Sequence, residues 1–165
     1  IPLQETIVTA EKNVVLEQAG DFPVDSCVEF TVSTKKSSTF VLKLLIPSRV
    51  QNAEVYVNNV KQNNTIVPDS YVILKRQWKN NDKIKLVFHY DFNIQTMPDD
   101  KNVFAIFYGP TLLAFLDESE LILKGNHDTI LKNLSKDKNS NTFHLNNNGK
   151  TYQLKPFYEI EEQSY

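Results

Sequence analysis

Apolar and polar residues alternate with a period of two along most of this chain. Val28, Phe30 and Val32 alternate with Glu29, Thr31 and Ser33, which predicts a strand with one buried face. Phe40, Leu42, Leu44 and Ile46 repeat the pattern until Pro47, which has no N–H to give a ladder, stops it. Val55 and Val57 predict a short strand running into Asn58-Asn59. Asn tolerates positive φ, so that pair suits a tight hairpin turn. Tyr71 to Leu74 is β-branched and aromatic. After the turn residues Asn80-Asn81-Asp82, Ile84, Leu86, Phe88 and Tyr90 alternate with Lys83, Lys85, Val87 and His89.

The polar stretch Gln95 to Asn102, with Pro98 and two aspartates, reads as a linker. Beyond it, Val103 to Leu116 is a nearly continuous apolar run broken by Gly109-Pro110, expected as strands covered on both faces with a bend between them. Ile130, Leu131 and Leu134 have roughly helical spacing behind Asp128, so one short helix capped by Asp128 is expected. Phe143 and Leu145 face Tyr152 and Leu154 across Asn146-Asn147-Asn148-Gly149, a hairpin signal. Pro156 to Ile160 is expected as a last strand. Ten to twelve short strands, no βαβ unit and no internal repeat predict an all-β, antiparallel β-sandwich architecture, as two small sandwiches in tandem. Their boundaries are expected at 1–94 and 95–165.

Composition narrows the function classes. The 165 residues are 41 % hydrophobic and 11 % aromatic, enough for packed cores, and the net charge of −2 mixes both signs. That balance lacks the basic stripe of a nucleic-acid surface. No run of about 18 apolar residues suggests a membrane span, and the first residues do not read as a signal peptide. Both chain ends read as cuts in a longer protein. Cys27 is the single cysteine, so no oxidising compartment is implied, and the cytoplasm is slightly favoured. Asn63-Asn64-Thr65 and Asn133-Leu134-Ser135 fit the glycosylation sequon, a match that arises by chance in an Asn-rich chain.

Candidate chemistry is sparse. The four glycines are far apart, so no phosphate-cradling loop forms. His89, His127 and His144 stand singly, without metal-ligand spacing. The acid pairs Asp99-Asp100, Asp117-Glu118 and Glu161-Glu162 fall in expected turns or near the chain end, where solvation explains them. Two distant acids meeting in a cleft would suffice for glycoside hydrolysis. For sugar binding by stacking on exposed rings, the candidates are Trp78, Tyr56 and Tyr71. Trp78 follows Lys75-Arg76-Gln77 at a strand end. It fits a plug over the sandwich better than an exposed platform.

The order of short phrases resembles a known family. Leu16-Glu17-Gln18 with Asp21-Phe22-Pro23-Val24-Asp25-Ser26 resembles L-x-Q-x-T-x-Y-P-W-x-G. Leu44-Leu45-Ile46-Pro47-Ser48 resembles L-R-I-P-S-W, and Val55-Tyr56-Val57-Asn58-Asn59 resembles V-x-V-N-G. The segment from Tyr71 through Arg76, Trp78 and Asn81-Asp82 resembles G-Y-x-x-I-x-R-x-W-x-x-G-D. Val103 to Leu113 resembles V-A-L-x-Y-G-P-L-V-L, and Leu154 to Ile160 resembles L-x-P-F-Y-x-I. In this order they are similar to the region downstream of the catalytic barrel in glycoside hydrolase family 127, which contains β-L-arabinofuranosidases. The departures, Val24 and Arg49 for Trp and Ser26, Asn59 and Asn81 for Gly, mark a divergent member.

The resemblance implies a division of labour. The family's cysteine nucleophile, zinc-binding cysteines and glutamates lie in an upstream (α/α)6 barrel. No motif carrying them matches this chain, so no catalytic, cofactor or metal residue is assigned. The chain is expected to be a non-catalytic accessory segment of a larger glycoside hydrolase, bracing the barrel of the same parent or mediating a homodimer. A module that binds arabinose-containing glycans is the alternative. An adhesion module of immunoglobulin type ranks last, because the Cys…Trp…Cys pattern is missing.

Overall fold

The computed structural model describes residues 6–9, 14–20, 22, 24–116 and 121–160. The phrase residues Asp21 and Pro23 and the acid pairs Asp117-Glu118 and Glu161-Glu162 lie outside the described residues. The chain divides into two compact units, Ile1–Tyr90 and Asp91–Tyr165. Both are built of antiparallel strands.

The first unit holds β1 (Thr6–Thr9), β2 (Val14–Ala19), β3 (Cys27–Thr34), β4 (Ser38–Ile46), β5 (Asn52–Val57), β6 (Val60–Lys61), β7 (Ser70–Trp78) and β8 (Asp82–His89). One sheet runs β1-β2-β3-β8-β5-β6, and β4 pairs with β7 in a second. The period of two decides which side chains go inside. On β8, Ile84, Leu86 and Phe88 are buried, whereas Lys83, Lys85 and His89 are exposed. Val28, Phe30 and Val32 of β3 meet Leu44 and Ile46 of β4 and Val72, Leu74 and Trp78 of β7 in one core. Each such side chain stabilises the unit by about 1.5–3 kcal/mol when fully buried. The register, Phe30 opposite Ile84 and Val28 opposite Leu86, is held by that burial. A slip of one residue would turn the whole apolar set into solvent.

Polar side chains fix the end of this sandwich. Asn58 and Asn59 form the β5–β6 turn at φ 49° and 66°, the left-handed pair that a two-residue hairpin requires. The buried Asp82 carboxylate accepts from the Lys79 N–H at 2.8 Å and the Asn58 amide at 2.9 Å. Asn58 Oδ1 in turn accepts from the Lys83 N–H at 2.9 Å. The β5–β6 and β7–β8 turns are thereby latched together.

The second unit holds β9 (Phe92–Thr96), β10 (Phe104–Tyr108), β11 (Thr111–Phe115), α1 (His127–Lys132), β12 (Leu134–Lys136), β13 (Phe143–Asn147), β14 (Lys150–Pro156) and a 3-10 turn at Phe157–Glu159. Its strands form one sheet in the order β12-β13-β14-β11-β10-β9. In a flat sheet β9 and β13 would be roughly 19 Å apart, four spacings of about 4.8 Å. The rings of Phe92 on β9 and Phe143 on β13 instead lie 5.9 Å apart, and Tyr108 on β10 reaches Phe143 at 5.2 Å. The sheet therefore curls, and its two ends face each other across a core of Ile106, Leu113, Ile130, Phe143, Leu145 and Leu154.

Several expectations shift in this unit. The stretch read as a linker lies within it: Gln95 and Thr96 belong to β9, and the residues after them turn the chain into β10, with the Met97 N–H donating to Val103 O at 2.8 Å. Polarity there reflects an exposed turn. The helix is capped by Asn126, whose Oδ1 accepts from the Thr129 N–H at 2.9 Å, while Asp128 sits in the first turn. Leu134 starts β12 instead of ending the helix. The expected last strand ends at Pro156, and Phe157–Glu159 coil into the 3-10 turn with both aromatics exposed. Asn147 supplies a contact that no strand pattern signals. Its buried amide accepts from the Lys124 N–H at 2.9 Å and donates to Lys124 O at 2.7 Å, pairing like a peptide group.

Candidate functional site

The three aromatic candidates go to three different places. Trp78 ends β7 inside the first core and is 0 % exposed. Its Nε1 donates to Phe40 O at 3.2 Å, the Phe40 ring lies at 5.8 Å, and the Arg76 guanidinium stands 5.2 Å from its centroid. A covered indole offers no face to a sugar, and Trp78 sits as the plug that fits its place at a strand end better than an exposed platform. Tyr56 alternates with the buried Val55 and Val57, which turns it outward on the larger sheet. Tyr71 alternates with the buried Val72 on β7, which turns it outward on the smaller sheet, where it is 58 % exposed. The two tyrosines thus lie on opposite outer faces, and no stacking platform is assembled from the three.

Around Tyr56 there is a small polar cluster. The Tyr56 hydroxyl donates to Glu54 Oε2 at 2.6 Å, Lys61 Nζ pairs with Glu54 Oε1 at 2.5 Å, and His89 Nε2 is 4.0 Å from Glu54 Oε2. Hydrogen bonds from Lys61 and then Tyr56 hold the Glu54 carboxyl below its usual range. Glu54 in turn raises Tyr56 and Lys61, so the proton stays on both donors. A carboxylate this well satisfied, on an open sheet face, is poorly suited to accept a proton from a substrate.

The remaining reactive groups among the described residues are dispersed. Cys27 is half-buried on β3, and burial pushes its thiol up against a smaller opposing pull from Lys85. It is therefore a neutral thiol near pH 7 and a weak nucleophile. His127 packs edge-on against Phe104 at 5.0 Å, and His144 Nε2 lies 3.2 Å from Asp137. Asp99-Asp100 sits in the exposed β9–β10 turn, where Asp100 Oδ1 accepts from the Asn102 N–H at 2.8 Å. Among the described residues no three His, Cys, Asp or Glu side chains gather where a metal ion could be held. A cleft of about 1020 Å³ opens in the second unit beside Phe104, Ile106, Leu113, Phe115, Leu123 and His127, with a mainly apolar lining.

Antiparallel sheets around two apolar cores define this protein as a β-sandwich module. The family described as "Beta-L-arabinofuranosidase, GH127 middle domain" matches residues 3–90, and the chain belongs to it. No curated protein matches the chain. Among solved structures it is similar to one named "Glycoside hydrolase" at 18 % identity and TM-score 0.71, covering 99 % of this chain and 33 % of that one. It is similar to a GH127 β-L-arabinofuranosidase from Geobacillus stearothermophilus at 19 % identity and TM-score 0.64, covering 94 % and 29 %. A further GH127 β-arabinofuranosidase matches at 17 % identity and TM-score 0.65, covering 99 % and 32 %. At these identities the likeness is one of fold. The chain spans about a third of the length of the solved structures that it matches.

Proposed function

We propose that this chain is a non-catalytic accessory segment of a β-L-arabinofuranosidase-like glycoside hydrolase, packed against the catalytic part of its parent. The observation that carries the proposal is the match of the middle-domain family over residues 3–90. The dispersal of acids, histidines and Cys27 among the described residues supports it. We further read the first unit as the middle domain of the parent and the second as the domain that follows it. The segment acts by holding another body in place through apolar contact, and it supplies no reacting group. Assay of the purified chain with an aryl β-L-arabinofuranoside tests this. No turnover above buffer is expected. Turnover that survives purification and is abolished by a point substitution in this chain would refute the proposal.

A further inference from the structure

The two outer faces of the first unit differ in chemistry. On β3, β5 and β8 the outward positions include Glu29, Glu54, Lys83, Lys85 and His89, an ordinary solvated face. On β4 and β7 the outward positions are Thr39, Val41, Lys43 and Leu45, then Tyr71, Ile73, Lys75 and Gln77. Val41 is 43 % exposed, Leu45 52 %, Tyr71 58 % and Ile73 54 %. The register sets Leu45 beside Tyr71, Ile73 beside Lys43 and Val41 beside Lys75, so Leu45, Tyr71 and Ile73 are neighbours and Val41 joins Ile73 only on the diagonal between the two lysines. None of the eight outward residues is acidic. A face that groups four exposed apolar side chains with two lysines and no acid, opposite a face of mixed charge, marks a contact surface.

We propose that this face is where the catalytic part of the parent chain docks. The proposal rests on the accessory reading and says which surface makes the contact. Two observations select the occupant. The solved neighbours are about three times as long as this chain, which covers 33 %, 29 % and 32 % of them, so a parent of that kind brings a large folded body on the same polypeptide. A tethered partner acts at high effective concentration, and a modest apolar patch then suffices to hold it. The second observation is charge. In a symmetric pair of copies the same patch lies on both sides, which would gather four lysines at one interface with no acid among the outward residues to answer them. The complementary surface is therefore apolar, edged by carboxylates that meet Lys43 and Lys75.

Hydroxyl-radical footprinting of the full-length parent, beside this chain alone, tests the assignment. Leu45, Tyr71 and Ile73 are expected to oxidise several-fold more slowly in the parent, while Tyr56 on the other face reacts equally in both. Leu45→Glu with Ile73→Glu in the parent should return Tyr71 to the rate seen in the chain alone. Equal rates for Tyr71 in parent and chain overturn the proposal, as does protection of Tyr56 instead. Protection of Tyr71 in the chain alone that grows with concentration would point to a second copy and also overturns it. The arabinofuranoside assay reads the accessory function separately, so failure of the docking face and failure of that function are distinguishable.

Discussion

Asp82 shows how one side chain can hold two turns. Burial raises its carboxyl pKa, but hydrogen bonds from the Lys79 N–H and the Asn58 amide, with the charges of Arg76 and Lys79, outweigh burial and leave the pKa below its ordinary 3.8. Because the folded value is the lower one, this stabilisation is complete above the unfolded pKa and is lost as pH falls through the folded pKa. Asp82→Ala strands both donors and is expected to reduce stability by about 1–3 kcal/mol at neutral pH. Urea titrations at neutral and acidic pH should show the gap between wild type and variant closing as the solution is acidified. Trp78→Ala removes the largest buried side chain of the first core and is expected to reduce stability by about 3–5 kcal/mol in the same assay. The strand pattern located Trp78 at a strand end. That position favoured a plug over a platform, but did not show which groups cover the ring, because Phe40 and Arg76 reach it from elsewhere on β4 and β7.

Among the elements, hairpins were the most legible. Asn58-Asn59 and Asn148-Gly149 mark the β5–β6 and β13–β14 turns because few residues adopt positive φ without strain. Gly149 sits at φ 79° and a Cβ there would meet no atom within 4 Å, so Gly149→Ala isolates the backbone penalty. Thermal and urea unfolding should report a loss of about 1 kcal/mol with the fold retained. Elements whose definition lies in tertiary contacts were harder to read. The segment around Lys124 is bound by the Asn147 amide, which looks like any turn asparagine in the sequence. The closing phrase Phe157-Tyr158-Glu159 is apolar enough for a strand, yet it coils once β14 has ended at Pro156.

For the molecule as a whole, the residues that carried the family resemblance build the fold. Leu44 to Ser48 closes β4, Val55 to Asn59 makes a strand and its turn, and Tyr71 to Asp82 forms β7 and enters β8. Such residues are held by packing and turn geometry, so they reveal architecture and kinship and carry no imprint of a sugar. The scattering of the aromatic candidates gives a further expectation. Isothermal titration of the chain with arabinose-containing glycans should show no saturable heat, since Tyr56 and Tyr71 face opposite ways and Trp78 is enclosed. Saturable binding lost on Tyr71→Ala, with melting unchanged, would restore the glycan-binding alternative.

The chain's single indole lies wholly inside the first unit, against Phe40 and Arg76. Light emitted from it is therefore a local report on one half of the polypeptide. An optical melting curve taken at tryptophan wavelengths follows the sandwich of residues 1–90, and the curled sheet beyond Tyr90 needs a dye or an introduced chromophore of its own.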